Sequence, residues 1–262
     1  MEQALLISKV SELSYWNDSY LRIYFGHEFC QELIPTEKAL EKAIDFISKN
    51  KIELTLVTSF VNDAGLKQLQ ILFEVLSKLR PNSEIVVNDW GVFRMALSYK
   101  LKIIIGRLLT KQRRDPRIVK LMKKLPENAA ERLKSLSLGP YLENFLLSHG
   151  VERLEVDNLL QGLIMPKHSN FVFSLYFPYC YVTVTRLCPF YSHVFLCKVN
   201  EKPSCARSCQ NRYFLLKHLS MPQSLYLKGN AIFLKNMRLP SNLNEKNIDR
   251  IIHHVHIAPP EL

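Results

Sequence analysis

ELTLVTSFVNDAGLKQLQILFEVLSKLRPNSEIVVND, residues 53–89, decides the fold. Its two ends, ELTLVTS and EIVVND, are short runs rich in apolar and β-branched residues and read as strands. Between them residues 64–79 place apolar side chains at helical spacing, and Pro81-Asn82 supplies the turn into the second strand. A strand, a crossover helix and a second strand of this length form a right-handed βαβ unit, which builds a parallel sheet.

The same alternation continues on both sides. LRIYFG (residues 21–26) reads as the first strand, and Pro35 and Thr36 open an amphipathic helix that runs through Lys49. A helix starts near Gly91, KIIIGR (102–107) is a fourth strand, and VERLEVDN (151–158) is a fifth, after a long basic and helical section. Every strand ends in polar residues: His27 and Glu28, Ser59, Asn88 and Asp89, Arg107, Asp157 and Asn158. Barrels carry their chemistry at that end of the strands. The expected fold is therefore a TIM-like (β/α) barrel, one domain over residues 1–262. It is irregular in its C-terminal third, where β-rich runs replace helices around a cysteine-rich insertion at about 186–212. A doubly wound sheet with an appended β-rich metal module also fits the pattern.

The chain has 262 residues and 47% hydrophobic content, enough for one large core. No window of eighteen apolar, charge-free residues appears, and the N-terminus lacks a basic region followed by a cleavage site, so a cytoplasmic location is expected. The formal net charge is +11, and residues 107–124 concentrate it, with eight basic residues and one acid. Such a block suits RNA or an acidic partner, although no aromatic residue interleaves the charges to stack on bases. The alternative is a solvated helix face.

Five of the six cysteines, Cys180, Cys188, Cys197, Cys205 and Cys209, fall in one short stretch, and the sixth, Cys30, follows the strand at 21–26. A cytoplasmic chain keeps thiols reduced, which favours metal binding or catalysis over disulfides. One close pair, Cys205 and Cys209, with distant single cysteines is the pattern of an iron–sulfur cluster ligated from separate loops more than of a two-pair zinc site. Cys180, in the aromatic run YFPYCYVTVT, reads as a core residue, and Cys197 as a ligand, a packing residue or a spare thiol. His253, His254 and His256 read as a strand end rather than a metal tract. No G-x-S-x-G, H-E-x-x-H, Walker or dinucleotide-binding motif is present.

These segments resemble a known family. YFGHEFC (24–30), EIVVNDWGVFRMA (84–96), TRLCPF (185–190) with KPSCARSC (202–209), LYLKGNAIFLKN and IDRIIHH are similar to the collagenase-like peptidases of unassigned catalytic type, and most of all to their UbiV-like ubiquinone-biosynthesis branch. The resemblance implies a barrel core and a [4Fe-4S] cluster held by Cys30, Cys188, Cys205 and Cys209, with a zinc site on the same four cysteines as the alternative. It implies a subunit of, or accessory to, oxygen-independent hydroxylation of a ubiquinone precursor or an RNA base. It also implies a hetero-dimer with a related UbiU-like subunit. Peptidase activity has no support in the residues. The alternative function is a non-catalytic RNA- or partner-binding module with structural zinc.

Candidate substrate contacts are the strand-end residues His27, Glu28, Asn88, Asp89, Arg107, Glu155, Asp157 and Asn158. Asp89 also suits a helix cap. Arg107 suits bidentate capture of a carboxylate, as a prephenate-like donor would require. Glu155 and Asp157 share one strand face by period two, a face that a barrel turns inward.

Overall fold

The computed structural model describes residues 1–136, 138–166, 169–190, 205–254 and 257. The strand–helix alternation forms as its spacing dictates. Strand β1 is Glu2–Ile7 and β2 is Arg22–Gly26, followed by helix α1, Glu37–Asn50. Then come β3 (Glu53–Val57), α2 (Asp63–Leu79), β4 (Glu84–Val87), α3 (Trp90–Ser98) and β5 (Lys102–Ile105). The basic section holds three short helices, α4 (Ile118–Met122), α5 (Glu127–Lys134) and α6 (Pro140–Ser148), before β6 (Arg153–Asp157). The final third is β7 (Val172–Phe177), β8 (Tyr179–Val184), β9 (Phe214–Leu216), β10 (Leu225–Lys228), β11 (Ala231–Lys235) and β12 (Ile248–His254).

Eight of these strands close a parallel barrel in the order β1-β12-β7-β6-β5-β4-β3-β2. The remaining four form an antiparallel sheet, β8-β11-β10-β9, inserted between β7 and β12. The barrel expectation holds, with its irregular C-terminal third; the doubly wound alternative does not, because the sheet closes, although a β-rich sheet is indeed appended. The segment at 21–26 is the second barrel strand, not the first. The buried run Ala4–Ile7 precedes it and joins β12 to β2, with Leu5 opposite His253 on one side and Ile23 on the other.

Helices start where their caps say. The Thr36 hydroxyl accepts from the Ala39 N–H, and Asn62 Oδ1 accepts from the Gly65 N–H. Their apolar stripes, such as Leu40, Ala43, Ile44 and Ile47 on α1, pack against the outward faces of the strands in the main core. A smaller cluster fills the barrel itself: Ala4, Leu6, Tyr24, Val57, Val86, Ile104, Tyr176 and Ile252. No described helix is long and apolar enough to cross a membrane.

The barrel interior is charged at both ends. Near the strand starts, Arg250 bonds Glu2 (2.6 Å) and Glu84 (2.7 Å), while Arg22 bonds Glu2 (2.7 Å) and Glu84 (3.1 Å). Two cations and two anions balance. The opposite end carries the candidate site.

Candidate metal centre

Glycine shapes the strand ends that build this site. Gly26 closes β2 at φ 137°, and a Cβ there would stand 2.1 Å from the Val57 carbonyl oxygen, so β2 and β3 approach as only glycine permits. Gly106, which ends β5, leaves room for Asn88: a Cβ would meet its Oδ1 at 2.2 Å. Asn88 donates to the Thr58 carbonyl (2.8 Å) and accepts from the Leu108 N–H (3.1 Å), fixing the turn that aims Arg107 into the barrel mouth.

Arg107 is fully buried, and all five of its N–H donors are used. Nε and Nη2 grip the two oxygens of Glu28 at 2.7 Å each. Nη1 donates to Asp157 Oδ1 (2.7 Å) and to the Tyr179 carbonyl (3.2 Å), and Nη2 also meets His254 Nε2 at 2.9 Å. Guanidinium only donates, so His254 Nε2 accepts, which sets a neutral Nδ1–H tautomer. Burial opposes the charge on Arg107, but the Glu28 and Asp157 carboxylates outweigh it and hold the group protonated. The guanidinium lies 3.7 Å from the Tyr176 ring centroid and 5.3 Å from that of Phe29. Arg114 reaches the other Asp157 oxygen at 2.8 Å, so this end is also balanced, two cations against two anions.

The geometry expected of a carboxylate-binding Arg107 is present, but within the chain. Its bidentate partner is the chain's own Glu28, and no donor remains for a ligand. Asn88 and Asp89 serve the fold: Asp89 caps α3 through the Gly91 N–H (2.7 Å) and the Val92 N–H (3.4 Å). Asn158 donates to the Asn236 and Arg238 carbonyls, and Asn236 returns bonds to the Asn158 and Leu159 carbonyls, which staples the second sheet to the barrel. His27 Nδ1 accepts from the Phe29 N–H at 3.2 Å.

Glu155 and Asp157 do share an inward face, and both are fully buried. Glu155 Oε2 accepts from the Tyr176 hydroxyl at 2.7 Å, while Oε1 has no hydrogen-bond partner among the described residues. Burial, reinforced by the Glu28 charge, pushes the Glu155 carboxyl up to about 8, so it keeps its proton at neutral pH.

The cysteines gather beside this network. Glu28 turns into the barrel, Phe29 packs its ring against Tyr181 and Phe233 of the second sheet, and Cys30 follows at once. Burial pushes the Cys30 thiol up to about 12. The Glu32 N–H bonded to it works the other way, and the nearby thiols of Cys209, Cys188 and Cys205 each add to the rise. Cys209 is raised to about 11, first by burial and then by Cys188 and Cys205. All three later thiols thus stand within electrostatic reach of Cys30. They come from three separate segments: the loop after β2, the chain leaving β8, and the turn around residues 205–211.

The floor beneath them is the β10–β11 hairpin. Asn230 donates to the Phe29 carbonyl (2.6 Å) and the Thr185 carbonyl (2.7 Å), binding two of those segments together. Gly229, at φ 61°, faces the Cys209 sulfur, and half-buried Lys228 sits beside it, donating to the Gln210 carbonyl at 3.1 Å. The Arg207 N–H donates to Cys205 Sγ at 3.4 Å. The Glu32 N–H bonded to Cys30 and the Lys228 charge beside Cys209 partly offset the burial that raises these two thiols. The donor set is four sulfurs, which fits a cluster or a soft metal. Among the described residues no three His, Cys, Asp or Glu side chains are grouped closely enough to grip a single ion.

Cys180 is buried, with its thiol raised by desolvation and its sulfur 3.5 Å from the Leu234 carbonyl oxygen, a packing residue. Cys197 and His256 lie outside the described residues. His253 meets Gln3 at 2.7 Å. The sequence reading gave no site role to Tyr176, Arg114, Lys228 or Asn230, and read His254 as part of a strand end.

No protein-family model matches the chain, and no curated protein matches it. Among solved structures, the chain described as "The Structure of the U32 Peptidase Mk0906" aligns with 99% of this chain and 94% of its own length, at 11% identity and a TM-score of 0.47. The architecture rests on the strand pairing itself: a closed, parallel eight-stranded β/α barrel carrying an additional four-stranded antiparallel sheet.

Proposed function

We propose that this chain is an iron–sulfur protein whose cluster is held by Cys30, Cys188, Cys205 and Cys209. It acts as a subunit of, or accessory to, an oxygen-independent hydroxylation of the UbiV-like type within the collagenase-like peptidase family. One observation supports the reading: Cys30 and Cys209 each lie within electrostatic reach of Cys188 and Cys205, which links three distant segments beside the end of the barrel where such folds keep their chemistry.

When bound, the cluster supplies one-electron chemistry. The chain's own part is to orient and shelter it. Phe29 and Asn230 fix Cys30, the N–H groups of Glu32 and Arg207 bond the sulfurs of Cys30 and Cys205, and the second sheet covers the barrel mouth. A peptidase reading gains nothing here, because a nucleophilic cysteine needs a lowered pKa and Cys30, Cys180 and Cys209 are all raised. The chain is expected to occupy the barrel as one domain and to work beside a related subunit.

The test is an alanine series purified without oxygen. Cys30→Ala, Cys188→Ala, Cys205→Ala and Cys209→Ala are each expected to lose iron, whereas Cys180→Ala keeps it. Full iron retention in the Cys30 and Cys209 variants would end the proposal. One zinc and no sulfide in the parent chain would favour the structural-zinc reading.

A further inference from the structure

The basic segment is not used by the cysteine site, and its surroundings say what it fits. Helix α4 has no buried residue. Lys120 Nζ donates to the Ser220 carbonyl at 3.3 Å, which sets α4 beside the turn at 217–221. Gln223 Nε2, two residues past that turn, donates to the Lys235 carbonyl at 2.5 Å, linking it to the end of β11. Val119, Gln223, Met237 and Leu239 line one pocket of about 830 Å³, so the three segments share one face.

That face combines two properties rarely found together by chance. Its cations, Lys120, Lys123, Lys124, Lys217 and Arg238, are exposed, and neither residues 116–126 nor residues 212–243 contain an Asp or Glu. Among the cations stand large apolar side chains in water: Leu219 is 99% exposed, Met237 62%, Leu121 49% and Leu239 42%. Scattered exposed leucines need no explanation, but an apolar group interspersed with cations, with acids only at its flank (Asp115, held by Arg117, and Glu127), marks a docking surface.

We infer that this face docks onto an anionic phospholipid bilayer, with Leu219 entering the acyl boundary and the lysines meeting headgroup phosphates. A protein partner of ordinary composition would answer the cations with carboxylates but would not need a leucine held fully in water at a turn tip. RNA would answer the charge, yet leucine and methionine offer it no stacking surface. A bilayer answers both, since its interface takes apolar tips while its surface potential holds lysines.

The experiment is co-sedimentation of the full chain with vesicles of phosphatidylcholine alone or mixed with phosphatidylglycerol, at low and at high salt. The chain is expected to pellet with the mixed vesicles at low salt and to stay in solution with the neutral ones. Reversing Lys120, Lys123 and Lys124 to Glu lowers the partition coefficient at least about a hundredfold, from roughly 1 kcal/mol per charge near the surface. Leu219→Glu lowers it at least about tenfold, through the lost leucine burial and the negative charge it adds at the anionic surface. Circular dichroism confirms that both variants fold. Equal pelleting with neutral and mixed vesicles overturns the inference, as does a Leu219→Glu chain that binds mixed vesicles like the parent. Salt-sensitive binding to RNA with none to vesicles assigns the face to nucleic acid and overturns it as well.

Discussion

The two ends of the barrel interior hold the same charge, two arginines against two acids, in different amounts of water. At the strand starts the side chains of Glu2 and Glu84 remain 24% and 18% exposed, so solvent shares the work of their arginine partners. At the strand ends Glu28 and Asp157 are 1% and 0% exposed, sealed beneath the second sheet. Balanced charge is tolerable in both places. Removing one partner is not, because the stranded charge has somewhere to go only at the wet end. The sealed end also abuts the cysteines through Glu28, Phe29 and Cys30. The added sheet thus buries an ordinary barrel mouth beside the cysteines.

Breaking one arginine at each end tests this contrast most severely. Arg107→Gln is expected to cost about 3–5 kcal/mol, the usual penalty for stranding a fully buried charge, and to lower iron loading by loosening Cys30. Arg250→Gln is expected to cost less, since Glu2 and Glu84 reach solvent, and to leave iron content unchanged. Urea unfolding and iron analysis of the two variants measure both effects. Equal losses would erase the distinction.

The next effect is on pH dependence. Glu155 has an ordinary carboxyl pKa near 4.3 when unfolded and is raised to about 8 in the fold. The folded chain keeps a proton that the unfolded chain releases. This contribution is fully present below about pH 4 and is lost as pH rises through 8. Glu155→Gln mimics the protonated form, so its unfolding midpoint should fall less than the parent's between pH 5 and pH 8. Parallel curves would mean that Glu155 is ionised in the folded chain. The smallest effect lies outside both charged layers: Asp89→Ala removes the α3 cap and should cost about 1 kcal/mol, with iron content untouched.

Local pattern carried the barrel wherever a strand and its helix are neighbours in sequence. From β2 to β6 each strand lies within two residues of its expected bounds, because alternation of apolar runs and helical stripes is a short-range signal. β1 escaped because residues 2–7 stand at the chain start with no crossover α-helix before β2, only a short 3-10 turn, and nothing local says that they close a circle. The pairing of the second sheet escaped for a related reason. Its edge strand β8 pairs with β11 across the whole cysteine segment, and register over such a distance is set by packing. In the site, period two placed Glu155 and Asp157 on the inner face, and strand ends flagged Glu28 and Arg107. What strand ends cannot express is partnership. The four residues were read as waiting for a ligand, whereas Arg107 spends every donor on its own chain.

The most direct test is the iron and acid-labile sulfide content of the chain purified under strict anaerobic conditions. The account predicts a brown protein with about four irons and about four sulfides per chain, as a cluster on four thiolates requires. A colourless chain carrying a single zinc, or no metal at all, would contradict it.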